Sequence, residues 1–364
     1  MRNRRDLLKS AGALAAGIVC VSCGMAHPAG AQASRREISI GGKRITTIDV
    51  HAHCVVTEVL EVVRGTDMER RVRELVAPGG LQNQPVGEER LADMGRDGVD
   101  RQVLSINPFW YGTDPAHARE ICEVQNAGMA KMCARYPGRF SGFGTVALQH
   151  PELAAEQLES AVKRHGLKGA MIGGSVDGAE LSNRKFDVFW AKAVELGATI
   201  FMHPQSQPEP TGMSKRLQGP GVLGNIIGHP IETTLAITHL IFDGTLDRFP
   251  DLKLLFAHAG GYLPSYAARM DHGCAIFPKQ CEGPKLAKRP SDYLKQLYFD
   301  SLIFTGEGLR HLVAQCGASQ IMLGTDSPIP WVKDPVDHVL TAPELSDGDR
   351  IAILSANAER VLRM

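Results

Sequence analysis

In this 364-residue chain, five residues of types that bind divalent metals, four histidines and an aspartate, stand at comparable places in the sequence. His51 and His53 directly follow the first of several apolar runs, and His203, His258 and Asp326 each end a later run. Residues two apart on a strand point to the same side, so the imidazoles of the His51-x-His53 pair can face one point. Three histidines and a carboxylate suit Zn²⁺ or a similar divalent ion. The set therefore predicts a metal centre.

The apolar runs alternate with helix-like segments along most of the chain. Most runs are rich in β-branched or aromatic residues and are bounded by Gly, Pro or Asp, as buried parallel strands are. Eight such pairs predict an α/β fold, a (β/α)8 TIM barrel in a single domain. A doubly wound sheet is the alternative, but no GxGxxG follows the first run and GxxxxGKS/T is absent from the sequence. The predicted strands are Ile45–Val50, Val99–Ile106, Arg139–Leu148, Gly169–Ile172, Ala198–Met202, Lys253–Ala257, Leu297–Asp300 and Ile321–Leu323.

Two connections between these segments are unusually long, Val55–Gly87 and Gln205–Pro230. In a barrel both emerge at the carboxyl ends of the strands, where loops build the active site. We expect them to enclose the substrate. The predicted helices are Glu88–Asp97, Pro115–Tyr136, Pro151–His165, Phe186–Leu196, Ile231–Phe249, Tyr262–Gly273, Gly306–Cys316 and Ser346–Leu362.

The first 33 residues have the pattern of a cleaved export signal. A basic start is followed by the apolar stretch Ala11–Val21 and by Ala31-Gln32-Ala33, a small-x-small site. The apolar stretch is about half of the roughly 20 residues that a spanning helix needs, which argues against a membrane anchor. Arg4-Arg5 resembles the twin-arginine signal, with a generic secretory signal as the alternative. We therefore expect a signal at residues 1–33, a catalytic domain at residues 34–364, use of the twin-arginine export machinery, and a periplasmic or secreted protein.

The charge balance and the cysteine content exclude further classes. The chain has 40 basic and 40 acidic side chains, and removing residues 1–33, with four basic groups and one acidic group, leaves a net charge of −3. A nucleic-acid binder would show a basic excess. The six cysteines beyond the signal are too sparse for a disulfide scaffold, so buried thiols are expected. Cys274 and Cys281 are the pair that could form a disulfide in an oxidising compartment.

Taken together, the motifs around these residues resemble the amidohydrolase superfamily, in the branch of aminocarboxymuconate-semialdehyde decarboxylase and related metal-dependent decarboxylases. The resemblance covers the chain from about Ile45 to the C-terminus. The matching segments are Asp49-Val50-His51-Ala52-His53, Met202-His203-Pro204, Ile231-Glu232-Thr233-Thr234, Leu254-Leu255-Phe256-Ala257-His258-Ala259-Gly260-Gly261 and Leu323-Gly324-Thr325-Asp326-Ser327-Pro328.

The resemblance implies roles for the five residues. It assigns metal binding to His51, His53, His203 and Asp326, and acid/base catalysis beside the metal to His258. The fourth strand run ends in Met171-Ile172-Gly173-Gly174 without a lysine, which argues against the lysine-bridged two-metal site of urease-like relatives.

Arg90 is a further candidate, also through the resemblance. It lies in a stretch similar to the family's Arg-x-x-x-Met-Asp-x-x-Gly-Val, where the arginine binds a substrate carboxylate. The sequence departs from that pattern, having Asp93-Met94-Gly95 where the family usually has Glu-Met-Asp. A guanidinium can bind a carboxylate by two parallel hydrogen bonds. The alternative is an exposed arginine at the start of a helix.

The expected function is decarboxylation of an unsaturated or aromatic carboxylic acid at a mononuclear site, with His258 and Asp326 as catalytic residues. Zn²⁺ is the expected ion and Mn²⁺ the alternative, because both accept imidazole and carboxylate ligands. The same site could instead hydrolyse a lactone, ester or amide, or hydrate a substrate. A periplasmic metal- or solute-binding protein without catalysis is a third hypothesis. Family habit favours a homodimer or homotetramer.

Overall fold

The computed structural model describes residues 35–77, 84–107, 110–205 and 213–364. The predicted export signal lies outside these residues, so its assignment, and with it the division of the chain at residue 33, stays a prediction. Within the described ranges no helix is long and apolar enough to span a membrane.

Eight parallel strands form the centre of the fold, and each corresponds to one of the predicted apolar runs. The strands are β1 (Ile48–His53), β2 (Arg101–Ser105), β3 (Phe140–Gly142, continued by Gly144–Thr145), β4 (Gly169–Ile172), β5 (Thr199–Met202), β6 (Lys253–Phe256), β7 (Tyr298–Asp300) and β8 (Ile321–Met322).

The strands pair in sequence order and the sheet closes on itself. Parallel ladders join β1 to β2 and β2 to the first part of β3, and further ladders lead from the second part of β3 to β8. The Val50 amide donates to the Leu323 carbonyl at 2.8 Å, and the Asp326 amide donates to the His51 carbonyl at 2.8 Å. These bonds connect the last strand to the first. The predicted (β/α)8 barrel is confirmed, and the doubly wound sheet is wrong.

Eight helices follow the strands on the outside of the barrel. The predicted helix Ile231–Phe249 is divided in two, because Gly244 takes a left-handed conformation (φ 71°) and a separate helix, Thr245–Arg248, follows it. The barrel helices are α1 (Glu88–Asp97), α2 (Pro115–Arg135), α3 (Pro151–Lys163), α4 (Asp187–Leu196), α5 (His229–Phe242), α6 (Leu263–Ile276), α7 (Gly306–Cys316) and α8 (Asp347–Ile351, continued by Ala352–Ala356 and Asn357–Leu362).

Other short elements lie outside this pattern. Ile45 belongs to an antiparallel hairpin with Ile38 rather than to the first barrel strand, which therefore begins three residues later than predicted. The hairpin consists of Ile38–Ile40 and Lys43–Ile45, and the remaining α-helices are Val59–Val62, Glu69–Val76, Met213–Arg216 and Pro335–Leu340.

The core has an inner and an outer part. A large outer cluster packs the strands against the helices. The inner cluster fills the barrel, and its members on the strands or directly beside them are completely buried, so the barrel is a packed core rather than a channel. These members are Ile48, Val50, Val103, Phe143, Met171, Phe201, Leu255, Ala257 and Met322.

The cysteines differ in part from the expectation of free thiols. Cys274 on α6 forms a disulfide with Cys281, with a Cα–Cα distance of 5.4 Å. Cys54, Cys122 and Cys316 are buried free thiols, as expected. The pairing that the sequence left open is therefore present, close to the end of a helix on the outside of the barrel.

Candidate metal centre

The structure brings all five predicted residues together at the carboxyl ends of the strands. His51 and His53 lie at the end of β1, and His203 directly follows β5. The ring centroid of His51 lies 5.1 Å from that of His53, 5.1 Å from that of His203 and 5.3 Å from that of His258. The His258 Nε2 atom lies 3.7 Å from Asp326 Oδ2. Below, His51, His53, His203 and Asp326 are called the His–Asp cluster.

A β-bulge in β1 turns both of its histidines toward the barrel axis. Ile48 and Val50 belong to the inner core, so regular alternation would point His51 and His53 outward. Asp49 pairs with Gln102, but Ala52, three residues on, pairs with a β2 residue only two positions further, so β1 holds one extra residue. Such a bulge re-aims the side chains that follow it. The strand thereby contributes apolar core below and imidazoles above.

Hydrogen bonds fix the orientation of the imidazoles. The Nδ1 atom of His51 lies 2.6 Å from Asp300 Oδ2, and the Nδ1 atom of His203 lies 2.8 Å from the Pro204 carbonyl oxygen. Both partners can only accept, so each Nδ1 donates and each Nε2 is the atom that a proton or a metal ion can occupy. The Nδ1 atom of His53 lies 3.3 Å from Ser105 Oγ. Acceptors of this kind behind an imidazole are typical of metal-binding histidines.

The edges of the three imidazoles that carry Nε2 face the carboxylate of Asp326. Asp326 Oδ1 lies 2.8 Å from His53 Nε2 and 3.2 Å from His51 Nε2, and these two nitrogens are 3.2 Å apart. His203 Nε2 is buried and has no hydrogen-bond partner among the described residues. Ligand atoms of His51, His203, His258 and Asp326 all lie within 4.8 Å of one another. Buried lone pairs that face each other are costly unless a cation lies between them, so this donor set fits a divalent ion.

The charge states that burial and neighbours impose also suit a cation. Burial lowers the pKa of His53, and it holds the pKa of His203 well below its ordinary value. Although burial opposes ionisation of Asp326, His51 and hydrogen bonds from the other histidines hold its pKa well below the usual range. Burial is likewise outweighed at His51, where Asp326 and Asp300 raise the pKa to about 10. The two carboxylates therefore favour a positive charge on or beside His51, and a proton and a metal ion compete for its Nε2 atom.

Two of the five residues have an uncommon backbone conformation. His258 has a φ of 55° and Asp326 a φ of 59°, both in the left-handed region that residues with a side chain rarely adopt. Such conformations cost of order 1–3 kcal/mol each and cluster at functional sites, where the surrounding structure enforces them. The hydrogen bond that the Asp326 amide donates to the His51 carbonyl is one such restraint, because it connects the loop after β8 to β1.

Asp300 is a functional residue that the sequence reasoning missed. It ends β7, is fully buried, and accepts hydrogen bonds from His51 Nδ1 and from the amides of His258 (2.9 Å) and Ala259 (2.8 Å). One carboxylate thus orients a residue of the His–Asp cluster and the backbone of the adjacent histidine. The sequence carried a signal for it, because Asp300 ends the seventh apolar run as the other site residues end theirs.

A cavity of about 190 Å³ opens over the cluster, and both long loops contribute to its wall. This cavity is called the metal cavity. The connection after β1 supplies Arg71, from the helix Glu69–Val76, and the connection after β5 supplies further polar groups. The predicted location of the substrate-enclosing loops thus agrees with the structure. The residues of the wall are His53, Arg71, Leu75, Asn107, His203, Pro204, Gln205, Asn225, His229, His258, Asp326 and Ile329.

Arg90 does not line the metal cavity. Its side chain is completely buried beneath the centre, where Nη1 donates to the His53 carbonyl at 2.7 Å and Nε donates to Gln102 Oε1 at 2.8 Å. In this position the guanidinium stabilises the end of β1. The predicted contact with a substrate carboxylate would instead require a place in the wall of the metal cavity. Arg71 is the arginine that the structure places at the cavity, and no sequence motif marked it.

Glu232, which lies in one of the segments that resemble the superfamily, connects two loops beside the centre. It lies in the first turn of α5, and its Oε1 accepts hydrogen bonds from the amides of Gly174 at 3.1 Å and Gln205 at 3.0 Å. The carboxylate thereby joins the loops that follow β4 and β5. This contact holds the chain directly after His203 in place.

A (β/α)8 barrel with buried imidazoles and a carboxylate converging at the carboxyl ends of its strands has the architecture of a metal-dependent barrel enzyme. Comparison with known proteins agrees. The sequence model of the amidohydrolase family matches residues 48–364. The 2-amino-3-carboxymuconate-6-semialdehyde decarboxylase of Dictyostelium discoideum is 33% identical over 272 residues, which are 74% of this chain and 74% of that protein. The chain belongs to the amidohydrolase family.

Solved structures give the same result. The 5-carboxyvanillate decarboxylase of Sphingomonas paucimobilis superposes with a TM-score of 0.79 at 26% identity, covering 88% of this chain and 99% of that one. A dihydroxybenzoic acid decarboxylase of Polaromonas sp. JS666, solved with bound manganese and the inhibitor 2-nitroresorcinol, has a TM-score of 0.73 at 25% identity, with 88% and 97% coverage. The resemblance that the motifs indicated, to metal-dependent decarboxylases of this superfamily, is confirmed.

Replacing Asp300 with asparagine should weaken metal binding without unfolding the barrel. The amide is close in size to the carboxylate but no longer supplies a negative acceptor for His51 Nδ1, and losses of such supporting partners typically cost about 10- to 100-fold in metal affinity. Titration of the metal-free protein with Mn²⁺, followed by calorimetry, measures the change. Asp271→Asn is the matched control, since that carboxylate bonds Ser291 away from the centre. Equal affinities for Asp300→Asn and the wild type would refute the orienting role.

Proposed function

We propose that this protein is a metal-dependent decarboxylase of an aromatic carboxylic acid with a mononuclear metal centre. One observation carries the proposal: the lone pairs of the His–Asp cluster converge beside His258 in a cavity that also presents a guanidinium. Relatives that are decarboxylases of γ-resorcylate or of aminocarboxymuconate semialdehyde support the reaction class. An aromatic acid is favoured because the solved relatives named above act on carboxyvanillate and dihydroxybenzoic acid.

We infer that His51, His53, His203 and Asp326 hold the ion, and manganese has more support than zinc. The relative from Polaromonas was solved with manganese, and imidazole and carboxylate ligands accept either ion. When bound, a divalent ion supplies Lewis-acid polarisation of substrate oxygens and fixes their orientation.

The reaction breaks the bond between the ring carbon and the carboxyl carbon. Carbon dioxide leaves, and the ring carbon takes a proton in its place. His258 is the proposed proton donor, because it lines the metal cavity and its Nε2 atom lies 3.7 Å from Asp326 Oδ2 in the cluster. Asp326 is held ionised by His51 and the hydrogen bonds from the other histidines, so it suits the role of metal ligand.

Arg71 is proposed to attract and orient the anionic substrate. It lines the metal cavity and forms no ion pair or hydrogen bond with the described part of the chain, so its guanidinium is available to a ligand. A guanidinium matches the geometry of a carboxylate and binds it by charge-assisted hydrogen bonds. This contact supplies locally the positive charge that a chain of balanced composition lacks overall.

Replacing His258 with asparagine should abolish most carbon dioxide release while metal content is retained. Loss of a general acid typically costs about 10²- to 10⁴-fold in rate. Carbon dioxide release from a panel of hydroxybenzoic acids is measured on manganese-loaded protein, together with acid release from lactones, which reports the hydrolase alternative. His239→Asn, which changes an exposed histidine on α5, is the control.

The same assays on the wild type separate the alternative functions. Acid release without carbon dioxide release would show a hydrolase instead, and no activity with either panel would favour the binding-protein hypothesis.

Replacing Arg71 with alanine should raise KM for the acid by about 10- to 100-fold, the effect expected from one hydrogen bond to a charged group. The turnover number should change much less, because the guanidinium is proposed to act in binding. Steady-state kinetics separate the two parameters. Arg70→Ala is the matched control, since Arg70 is adjacent in sequence, is highly exposed and does not line the metal cavity. An unchanged KM in Arg71→Ala would exclude the proposed contact.

We further propose that the chain is exported through the twin-arginine machinery to the periplasm or the medium and assembles as a homodimer or homotetramer. The Arg4-Arg5 pair and the Ala31-Gln32-Ala33 site support export. Exposed apolar side chains at Tyr266, Ile276 and Phe277 support assembly.

Replacing both Arg4 and Arg5 with lysine should leave the full-length chain in the cytoplasm, whereas the parent protein is recovered from the periplasm shortened to about residue 34. Sedimentation of the shortened protein gives its oligomeric state.

A further inference from the structure

A second cavity, of about 390 Å³, adjoins the metal cavity. The two have three wall residues in common, Asn225, His229 and His258, so a molecule held at the metal centre can extend from one into the other. The remaining wall of the second cavity is apolar. It consists of Ile226, Pro230, Phe304 and Trp331, and is called the aromatic vestibule below.

The vestibule places large apolar side chains against solvent. Phe304 is 59% exposed and Trp331 is 36% exposed, and their ring centroids lie 5.9 Å apart at an interplanar angle of 53°. Phe304 comes from the loop after β7 and Trp331 from the loop after β8, so two separate connections converge on one apolar surface. Contiguous exposed apolar groups next to a functional cavity mark a ligand surface more often than isolated ones do.

The two cavities divide a ligand into a polar and an apolar part. The metal cavity is the smaller, and nine of its twelve wall residues are polar, Arg71, Asn107 and Asp326 among them. The vestibule has about twice the volume, and apart from the three shared residues its wall is formed by apolar side chains. A bare hydroxybenzoic acid would use the first cavity and leave the vestibule open to water.

We propose that the aromatic vestibule is a specificity subsite for an apolar substituent carried on the ring of the substrate. The inference rests on the proposed function and narrows it: the preferred substrates are aromatic acids with an alkyl or aryl group on the side of the ring away from the carboxylate. The carboxylate end lies at the metal centre and Arg71, and the substituent passes His258 and His229 to contact Phe304 and Trp331.

The experiment compares salicylic acid with salicylic acids that carry a methyl, propyl or pentyl group on the ring. Binding to manganese-loaded protein is measured by calorimetry, and carbon dioxide release is measured in parallel. Each methylene that becomes buried should tighten binding by about fourfold. Phe304→Ala and Trp331→Ala should flatten this dependence on chain length while leaving the affinity for salicylic acid within about twofold. Val188→Ala, an exposed apolar residue of α4 that lines neither cavity, is the control.

The outcomes separate the subsite from the reaction. Tighter binding with longer substituents, lost in Phe304→Ala and Trp331→Ala, supports the subsite even if no carbon dioxide is released, in which case the proposed function alone fails. Carbon dioxide release with affinities that do not depend on the substituent overturns the subsite and leaves the function standing. A change of oligomeric state in the two variants, with an unaltered dependence on chain length, also overturns it, because the vestibule would then be covered by a second copy of the chain.

Discussion

The metal centre depends on one strand that faces the barrel axis with two kinds of side chain. Lower on β1, Ile48 and Val50 complete the apolar core, and higher on the same strand His51 and His53 meet the carboxylate of Asp326. Regular alternation cannot satisfy both demands. The extra residue between Asp49 and Ala52 satisfies them by changing the face of the strand halfway along its length. The arrangement of the whole cluster at the barrel mouth depends on the direction that the bulge gives to these two imidazoles.

Buried carboxylates hold this irregular strand in place. Asp49 accepts hydrogen bonds from the His51 amide (3.0 Å), from Thr325 Oγ1 (2.7 Å) and from Gln102 Nε2 (3.0 Å), and so connects β1 with its neighbours on both sides. Burial raises the pKa of Asp49 to about 6 against the effect of these bonds. Asp300 serves the opposite wall in the same manner, with His51 and the loop after β6. A layer of buried hydrogen bonds beneath the cluster therefore holds the orientation of His51 and of the neighbouring loops.

The sequence predicted the barrel and the meeting of His51, His53, His203, His258 and Asp326, because both follow from periodicity and from the position of polar residues at strand ends. The bulge escaped prediction, since an extra residue in a strand leaves no mark in composition. Asp300 could have been found by the same rule as the other site residues. Arg71 could not, because its position depends on how a 33-residue connection packs against the barrel mouth, and no periodic pattern encodes that. Arg90 is the converse case, because a family motif predicted an arginine that binds a substrate carboxylate, whereas the structure buries this residue beneath the strand.

The origin of the cavity wall has a consequence for how such an enzyme can change. The residues of the His–Asp cluster stand on or directly after barrel strands and are tied to one another through Asp49 and Asp300. Arg71, Asn225 and Trp331 stand on connections that share few of those ties. Substitutions in the connections can therefore accumulate without disturbing the ion-binding layer. The part of the molecule that selects an acid is free to diverge while the part that reacts with it stays constant, so relatives with one chemistry can come to serve different metabolic steps.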